Sequence, residues 1–565
     1  MPPNKLLYPL ALLGAFGLLA LAPTRGTAQG ATLPPGSLEE TLLGRFEIKA
    51  NPSVPFHTGL KPFNRAEVVA YAQLLDTVLS APSKKTRADL AYIFRNNNEW
   101  GSPDTTAAQA DPKPLLGFLY RSPANFYEVN TPDFTLRANP MLQFKYGAQQ
   151  NETEPWFINQ RGVELRAAID QRVFVYANFV ENQAQFPSFV RERFLRDAAL
   201  PGVGRAKDYS GFGVRNGYDF MLSQSTIGFQ LTPHIGAQFG HGRNFWGEGY
   251  RSLFLSDFSH DYLHLKINWK IWKLHYQNLF AELNAGSSNG PDGLVAKKYM
   301  ASHLLSVYPL PNVQVGLFEA VIFNRENHFE LNYLNPLILY RAVELALGSP
   351  DNMLLGVHGK WNFLQRFQVY GQFVFDEFLY SELLVKRRGW WGNKFAMQTG
   401  LKYVDAFGVD HLDLQLEHNL ARPYTYTHDE QVQSYTHQMQ PLAHPLGANF
   451  REWVLLARWQ ALPRLLVQGR VIQARSGSDG AGENWGSNVL LSNVHIQQEF
   501  GNEIGQGIPT HLQIAALDIG FSIAHNVFFD LHGFYRRRTL GGQVQTHAFL
   551  SGGIRMNLPN WKHDF

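Results

Sequence analysis

The sequence predicts an all-β fold, a transmembrane antiparallel β-barrel of about eighteen strands preceded by a small helical segment. Three observations carry this. From about residue 133 onward, short segments alternate apolar and polar residues. Leu263, Leu265, Ile267 and Trp269 alternate with His264, Lys266, Asn268 and Lys270, and Leu412, Leu414 and Leu416 with His411, Asp413, Gln415 and Glu417. A period of two places each set on one face of a strand. The segments also come in pairs joined by tight turns, with long polar loops between pairs, as in membrane barrels. Finally, the apolar faces are rich enough in Leu, Ile and Trp to meet lipid, while the opposite faces carry charge. Leu265 and Leu414 are therefore expected to face lipid, and Lys266 and Asp413 the lumen.

Along the chain, residues 1–28 read as a secretory signal peptide. Lys5 supplies the positive start, Leu6 to Ala22 is largely apolar, and Gly26-Thr27-Ala28 offers small residues at a cleavage site. An uncleaved anchor helix is the other reading of that stretch. Residues 29–115 are assigned to an N-terminal periplasmic segment. Within it, 29–60 is punctuated by Pro and Gly and reads as extended. Asn64 followed by Glu67 has the spacing of a capping box. Val68, Tyr71, Ala72, Leu75, Val78 and Leu79 then form one helical stripe. A second helix, at about 86–96, follows Pro82 and is stopped by Asn96-Asn97-Asn98.

Residues 116–565 are assigned to the barrel. Strands are expected near 133–146, 160–169, 172–183, 223–231, 234–241, 261–270, 272–283, 299–308 and 313–324. Nine more are expected near 353–363, 367–377, 395–405, 410–420, 450–460, 464–474, 511–524, 527–538 and 545–556. Short connections such as Asp170-Gln171-Arg172, Leu364-Gln365-Arg366 and Ala524-His525-Asn526 alternate with long ones at 184–222, 242–260, 325–352, 421–449 and 475–510. An even strand number puts both ends of the barrel on the periplasmic side. Phe565 supplies a terminal aromatic of the kind handled by barrel-insertion machinery. The remaining soluble alternative, a secreted β-sandwich or propeller, accounts poorly for Leu/Ile/Trp faces opposite Lys/Glu/His faces throughout.

Composition narrows the function classes. The 565 residues include 50 basic and 47 acidic side chains, so no nucleic-acid-like field is implied. The mean hydropathy of −0.23 is what a wall with every second residue polar would give. The 41 Phe, 23 Tyr and 12 Trp suit interfacial girdles. There is no cysteine, which excludes disulfides, thiolate chemistry, Cys-zinc sites and a lipidated Cys. Neither an H-E-x-x-H nor a P-loop is present. Tyr435-Thr436-His437 with His444 reads as surface or hydrogen-bonded histidine rather than a metal site, and Asp376-Glu377 as pore lining. No catalytic residue, metal or cofactor is assigned, although an outer-membrane hydrolase remains conceivable on composition.

Three stretches carry a family resemblance. Gly242-Arg243-Asn244-Phe245-Trp246-Gly247-Glu248-Gly249-Tyr250-Arg251-Ser252-Leu253-Phe254-Leu255-Ser256 resembles the W-G-x-G-aromatic-x-S-L-x-L-S signature of the capsule-assembly Wzi family of outer-membrane proteins. His444-Pro445-Leu446-Gly447-Ala448-Asn449 is similar to that family's later H-P-L-G-x-D stretch. Asn332-Tyr333-Leu334-Asn335-Pro336-Leu337, with Phe323-Asn324-Arg325-Glu326-Asn327 before it, resembles the gliding-motility, RemB-like branch found in Bacteroidota. Pro62-Phe63-Asn64-Arg65 ahead of a helix suits the same branch. Departures are Phe245 in place of the first tryptophan, Glu248 in place of a proline, and Asn449 in place of an acid.

The resemblance implies an eighteen-stranded barrel in the cell outer membrane that binds or organises surface or capsular polysaccharide without catalysis. Capsule attachment, gliding and adhesion are the implied roles. Arg243, Asn244, Trp246, Glu248, Tyr250, Arg251, His444 and Asn449 are the candidate polysaccharide contacts, with the first six expected on a loop at the outer surface. Aromatic rings stack on sugar C–H faces, and Arg, Asn and Glu bond hydroxyls or uronates. The same glycines, proline and tryptophan also fit a purely structural loop. The alternative function is an outer-membrane channel for solutes, since eighteen strands can enclose a water-filled lumen.

Overall fold

The computed structural model describes residues 31–50, 56–79, 82–101, 122, 124–150, 152–289, 293–325, 328–348 and 351–565. The expected signal segment, 1–28, lies outside them.

Eighteen antiparallel strands close on themselves. They are β1 Phe134–Gln149, β2 Trp156–Ile169, β3 Val173–Gln185, β4 Val214–Thr232, β5 Ile235–Gly242 and β6 Tyr262–Ile271. Next come β7 Leu274–Asn289, β8 Val295–Leu310, β9 Val313–Phe323, β10 Asn352–Phe363, β11 Phe367–Glu377 and β12 Lys394–Tyr403. The wall is completed by β13 Leu412–Ala421, β14 Phe450–Leu462, β15 Leu465–Ser478, β16 Ile508–Ala524, β17 Val527–Leu540 and β18 Gln543–Met556. Each overlaps one of the segments read from alternation. β18 closes on β1 with Phe549 opposite Gln149 and Met556 opposite Leu142.

Every second connection is short, which defines one end of the barrel. At Asp170-Gln171 and Leu364-Gln365 both turn residues have φ between +51° and +54°, the backbone of a type I′ hairpin. The other end carries the long loops. Among the described residues no helix is long and apolar enough to cross a membrane.

Facing follows the sequence pattern. Gln415, Glu417 and Asn419 are buried in the lumen, while Leu416 is exposed on the outer wall. Lys266 and Asp413 point inward to Asn244 and Arg45. Leu265 and Leu414 lie on the outer side, and Leu265 is partly covered by a long loop.

The lumen is filled. Helices α1 Leu38–Lys49, α2 Arg65–Val78 and α3 Lys84–Asn96 pack together through Leu42, Leu43, Phe46, Val68, Tyr71, Leu75 and Ile93. The two expected helices are present as α2 and α3, but α1 corrects the reading of 29–60 as extended. Asn64 caps α2 by accepting from the Ala66 N–H at 2.9 Å, whereas Glu67 turns to Lys270 on the wall. The bundle fastens to the short-turn end: Arg45 pairs with Asp405 and Asp413, Lys49 with Asp405 at 2.6 Å, and Tyr92 donates to Asn526 at 2.5 Å.

A second correction concerns residues 557–565. Phe565 does not stand at the end of a strand. Beyond Met556 the chain turns into the lumen, where Phe565 packs against Phe189 and Phe258 and its carbonyl accepts from Arg536 at 3.0 Å. Asp564 pairs with Arg470 at 3.0 Å.

Candidate functional site

The signature loop, 243–261, leaves β5 at the long-loop end and was expected at the outer surface. It lies instead in the lumen. Phe245–Trp246 forms a two-residue strand with Leu60–Lys61, just ahead of α2. Trp246 is 0% exposed and donates its indole N–H to Gln277 at 2.7 Å, surrounded by Leu253, Phe254, Leu255, Met300 and Phe318. The reason for the difference is the company the loop keeps: an apolar interior receives Trp246 and Leu253 to Leu255, which an alternating wall does not advertise.

The glycines are explained by close approach. Gly247 has φ of +156°, and a Cβ there would meet the Gln372 amide at 2.7 Å. A Cβ on Gly249 would run into the Glu417 carboxylate. Glu417 uses the space so created to accept from the Tyr250 and Arg251 N–H groups at 2.7 and 3.0 Å.

Two buried ion clusters hold the loop. In the first, Lys360 of β10 bridges Glu248 at 2.8 Å and Glu47 of α1 at 2.7 Å, with Lys402 at 4.0 Å from Glu248. Burial works against the Glu248 carboxylate, but Lys360 and Lys402 outweigh it and hold its pKa well below the usual range. The second cluster joins the two sequence motifs. Arg251 forks onto Glu452 at 3.0 and 3.3 Å, and His444 meets the same carboxylate at 2.8 Å. Arg251 also donates to the Asp564 carbonyl at 2.5 Å, and Tyr250 donates to the Asp564 carboxylate. Burial lowers the His444 pKa despite the pull of Glu452. The Leu446 N–H donates to His444 Nδ1 at 3.2 Å, which leaves Nε2 to carry the proton toward Glu452.

The other candidates are also spent on internal partners. Arg243 reaches Asp261 at 3.1 Å and the Gly202 carbonyl at 2.9 Å. Asn244 accepts from Lys266 at 3.0 Å. Asn449 stands apart from the rest: with φ of +58° it accepts from the Gly505 N–H at 2.7 Å and donates to the Gln506 carbonyl at 2.9 Å, tying down loop 479–507. The structure thus brings Arg243 to Arg251 and His444 into one buried assembly, with Asn449 outside it. The Asp564 and Glu452 halves of that assembly were not read from sequence.

Beside this assembly is a cavity of about 580 Å³, lined by α1, the signature loop, residues 557–565 and inward residues of the wall such as Arg458, Asp518 and Arg555. Among the described residues one group, Asp405, Asp410 and His411, brings possible metal donors together. Asp405 is already paired with Arg45 and Lys49, and His411 meets Asp89 at 3.1 Å, so the group serves to anchor the helices.

At the long-loop surface, aromatic residues not singled out from sequence are gathered. Trp390, Trp391 and Trp485 are partly exposed. Their loops touch: the Trp391 N–H donates to the Glu499 carbonyl at 3.0 Å, the Trp391 ring lies 6.0 Å from Tyr424, and the Tyr424 N–H donates to the Gly486 carbonyl at 2.9 Å. Arg388 lies 4.0 Å over the Phe500 ring. Only the pairing of loops distant in sequence creates this patch.

No family model and no curated protein matches the chain. Among solved structures, the fold is similar to Wzi of Escherichia coli, described as an outer membrane protein involved in group 1 capsule assembly and a carbohydrate-binding β-barrel. The TM-score is 0.58 at 13% identity, covering 94% of this chain and 100% of that one. OprD of Pseudomonas aeruginosa aligns at a TM-score of 0.41 and 10% identity, over 75% of this chain and 94% of that one. OccAB4 of Acinetobacter baumannii aligns at 0.39 and 8%, over 75% and 98%. The chain has a Wzi-like fold, and at these identities the likeness is one of architecture.

Proposed function

We propose that the protein is a non-enzymatic outer-membrane barrel that holds surface polysaccharide at its long-loop face. The observation that carries this reading is the filled lumen: three helices, the signature loop and residues 557–565 occupy the space a solute would need. A structure closed in this way is suited to display a surface rather than to pass solutes, so the channel is the weaker reading. The carbohydrate-binding description of Wzi supports the same choice of ligand. In this reading the signature loop latches the barrel contents in place. Sugar is met outside, where Trp390, Trp391 and Trp485 offer ring faces, and Arg388, paired with Glu382 at 2.6 Å, braces the patch. The lipid-facing wall inserts in the outer membrane after removal of residues 1–28 and folding by the barrel-insertion machinery. The finer role in gliding or adhesion rests on the Asn332–Leu337 and Pro62–Arg65 stretches alone.

The test is glycan-array binding of the purified protein beside single-channel conductance in a bilayer. Binding to acidic polysaccharide with negligible conductance is expected. Trp390→Ala with Trp485→Ala should weaken binding while heat-modifiable gel migration stays normal, whereas Trp246→Ala should damage assembly. Steady conductance with no glycan bound would replace this reading with the channel.

A further inference from the structure

The third motif, Asn332 to Leu337, has no place in the lumen. Its loop leaves β9 at Phe323 and returns at β10, and between them it folds down over the outside of the barrel. Tyr333 and Tyr340, both 0% exposed, and Val343 pack on Phe280, Tyr299, Val321 and Phe323, which are outward residues of β7, β8 and β9. A helix, α4 Tyr340–Leu347, forms the returning arm.

What the loop covers is unusual for a lipid-facing wall. His303 of β8 and Glu319 of β9 are paired across the strands and meet at 2.8 Å on the outer side. Asn278 of β7 lies opposite His303. The loop closes over all three. His303 stacks on the Tyr340 ring at 4.6 Å, Glu319 accepts from the Arg341 N–H at 3.3 Å, and the Asn278 amide donates to the Pro336 carbonyl at 3.0 Å. At its base, Asp351 pairs with Arg325 at 2.6 Å and accepts from the Tyr333 hydroxyl at 2.7 Å.

The depth of this patch is set by the neighbouring strand. Glu319 is in register with Leu355 of β10, and Leu317 with Val357. Leu355, Val357 and Leu317 are bare on the outer wall. The covered polar groups therefore lie at the level of the apolar belt, where an uncovered carboxylate would be costly. The loop's own outer side continues the belt: Leu331, Leu337, Leu339 and Leu345 are 66–76% exposed.

We infer that residues 328–348 form a membrane-embedded flap that lies among lipid acyl chains and seals a polar strip on the barrel wall. Its leucines replace, as lipid contacts, the wall residues it covers. The flap's outer side is leucine, and the Glu319 it covers is level with the bare Leu355 of the belt, which commits the occupant of that face to lipid.

The chain has no cysteine, so single-site fluorescent labelling is clean. Leu337→Cys and Leu345→Cys, each carrying an environment-sensitive dye, are reconstituted in phosphatidylcholine vesicles with or without bromine at mid-chain. Leu317→Cys serves as the belt control and Glu483→Cys as the aqueous control. The flap probes should lose most of their emission to brominated lipid, as Leu317→Cys does, and be insensitive to iodide. Quenching by iodide and not by bromolipid would put the flap in water and overturn the inference. Protection from both quenchers would mean that protein, a second copy in these vesicles, covers the face, and would overturn it equally. Normal heat-modifiable migration of each variant confirms that folded barrel is being read.

Discussion

Removing the Arg251 side chain is the most exacting test of the buried latch. Its side chain is 9% exposed and that of its partner Glu452 1%, so the pair is little screened by water. Arg251→Ala deletes two bonds to Glu452, at 3.0 and 3.3 Å, and one to the Asp564 carbonyl at 2.5 Å. Breaking a buried pair from one side costs about 3–5 kcal/mol, most of it from the charge left behind. Here Glu452 keeps His444 at 2.8 Å and Asn419 at 3.1 Å, so the lower end, about 3 kcal/mol, is expected. Arg251→Lys keeps the charge but cannot fork, and should cost about 1.5–3 kcal/mol, the worth of a charged hydrogen bond. Urea unfolding in phospholipid vesicles, followed by tryptophan emission, reads both. The strand ladder is untouched, so heat-modifiable migration should survive. A loss below about 1 kcal/mol for Arg251→Ala, the value of an exposed pair, would refute the claim that this cluster holds the loop in the lumen.

Three further outcomes are expected. A label that cannot cross the outer membrane should reach Ser478→Cys and Glu483→Cys in intact cells but not Pro311→Cys or Pro463→Cys; Thr427→Cys, at a site 1% exposed, should stay silent. Leu414→Arg should cost about 2–4 kcal/mol if its side chain sits near mid-membrane, and Asp413→Ser, which strips a partner from Arg45, should also destabilise in the same unfolding assay. His444 has a folded pKa below its ordinary 6.5 because it is buried, so the unfolded chain takes up its proton first as pH falls. Its contribution to stability is therefore complete above pH 6.5 and lost as pH drops toward the folded value, and His444→Gln should flatten that part of the unfolding profile; an unchanged slope would assign it to other histidines.

The wall was legible because each strand residue answers to one of two media. Leu416 and Glu417 sit side by side in sequence and on opposite sides of the barrel, and a period of two records that directly. The contents of the lumen were not legible, for two physical reasons. The latch joins residues far apart in the chain: Arg251 and Glu452 are 201 positions apart, Tyr250 and Asp564 are 314. Helix α1 hides its periodicity because it is enclosed on several sides, with Leu42, Leu43 and Phe46 toward α2 and Arg45 and Glu47 toward the wall. Of the candidate site, the motifs were visible and do assemble, Arg251 and His444 on one carboxylate. Their depth was not visible, since tryptophan, arginine and glutamate serve a sugar surface or a buried ion cluster equally well. The third motif shows the same limit, as nothing in Asn332–Leu337 says which side of the wall it covers.

The seam between β1 and β18 gives the filled lumen a topological meaning. The helices hang from the leading edge of β1 and residues 557–565 from the trailing edge of β18, and those two strands are neighbours in the ring. These two pieces of the filling thus enter beside one gap, while the signature loop folds in from the long-loop end. While that gap is open the two can swing in sideways, and neither has to be threaded through a completed hoop. Once Ile554 has met Phe144 across it, the ring is shut around its contents.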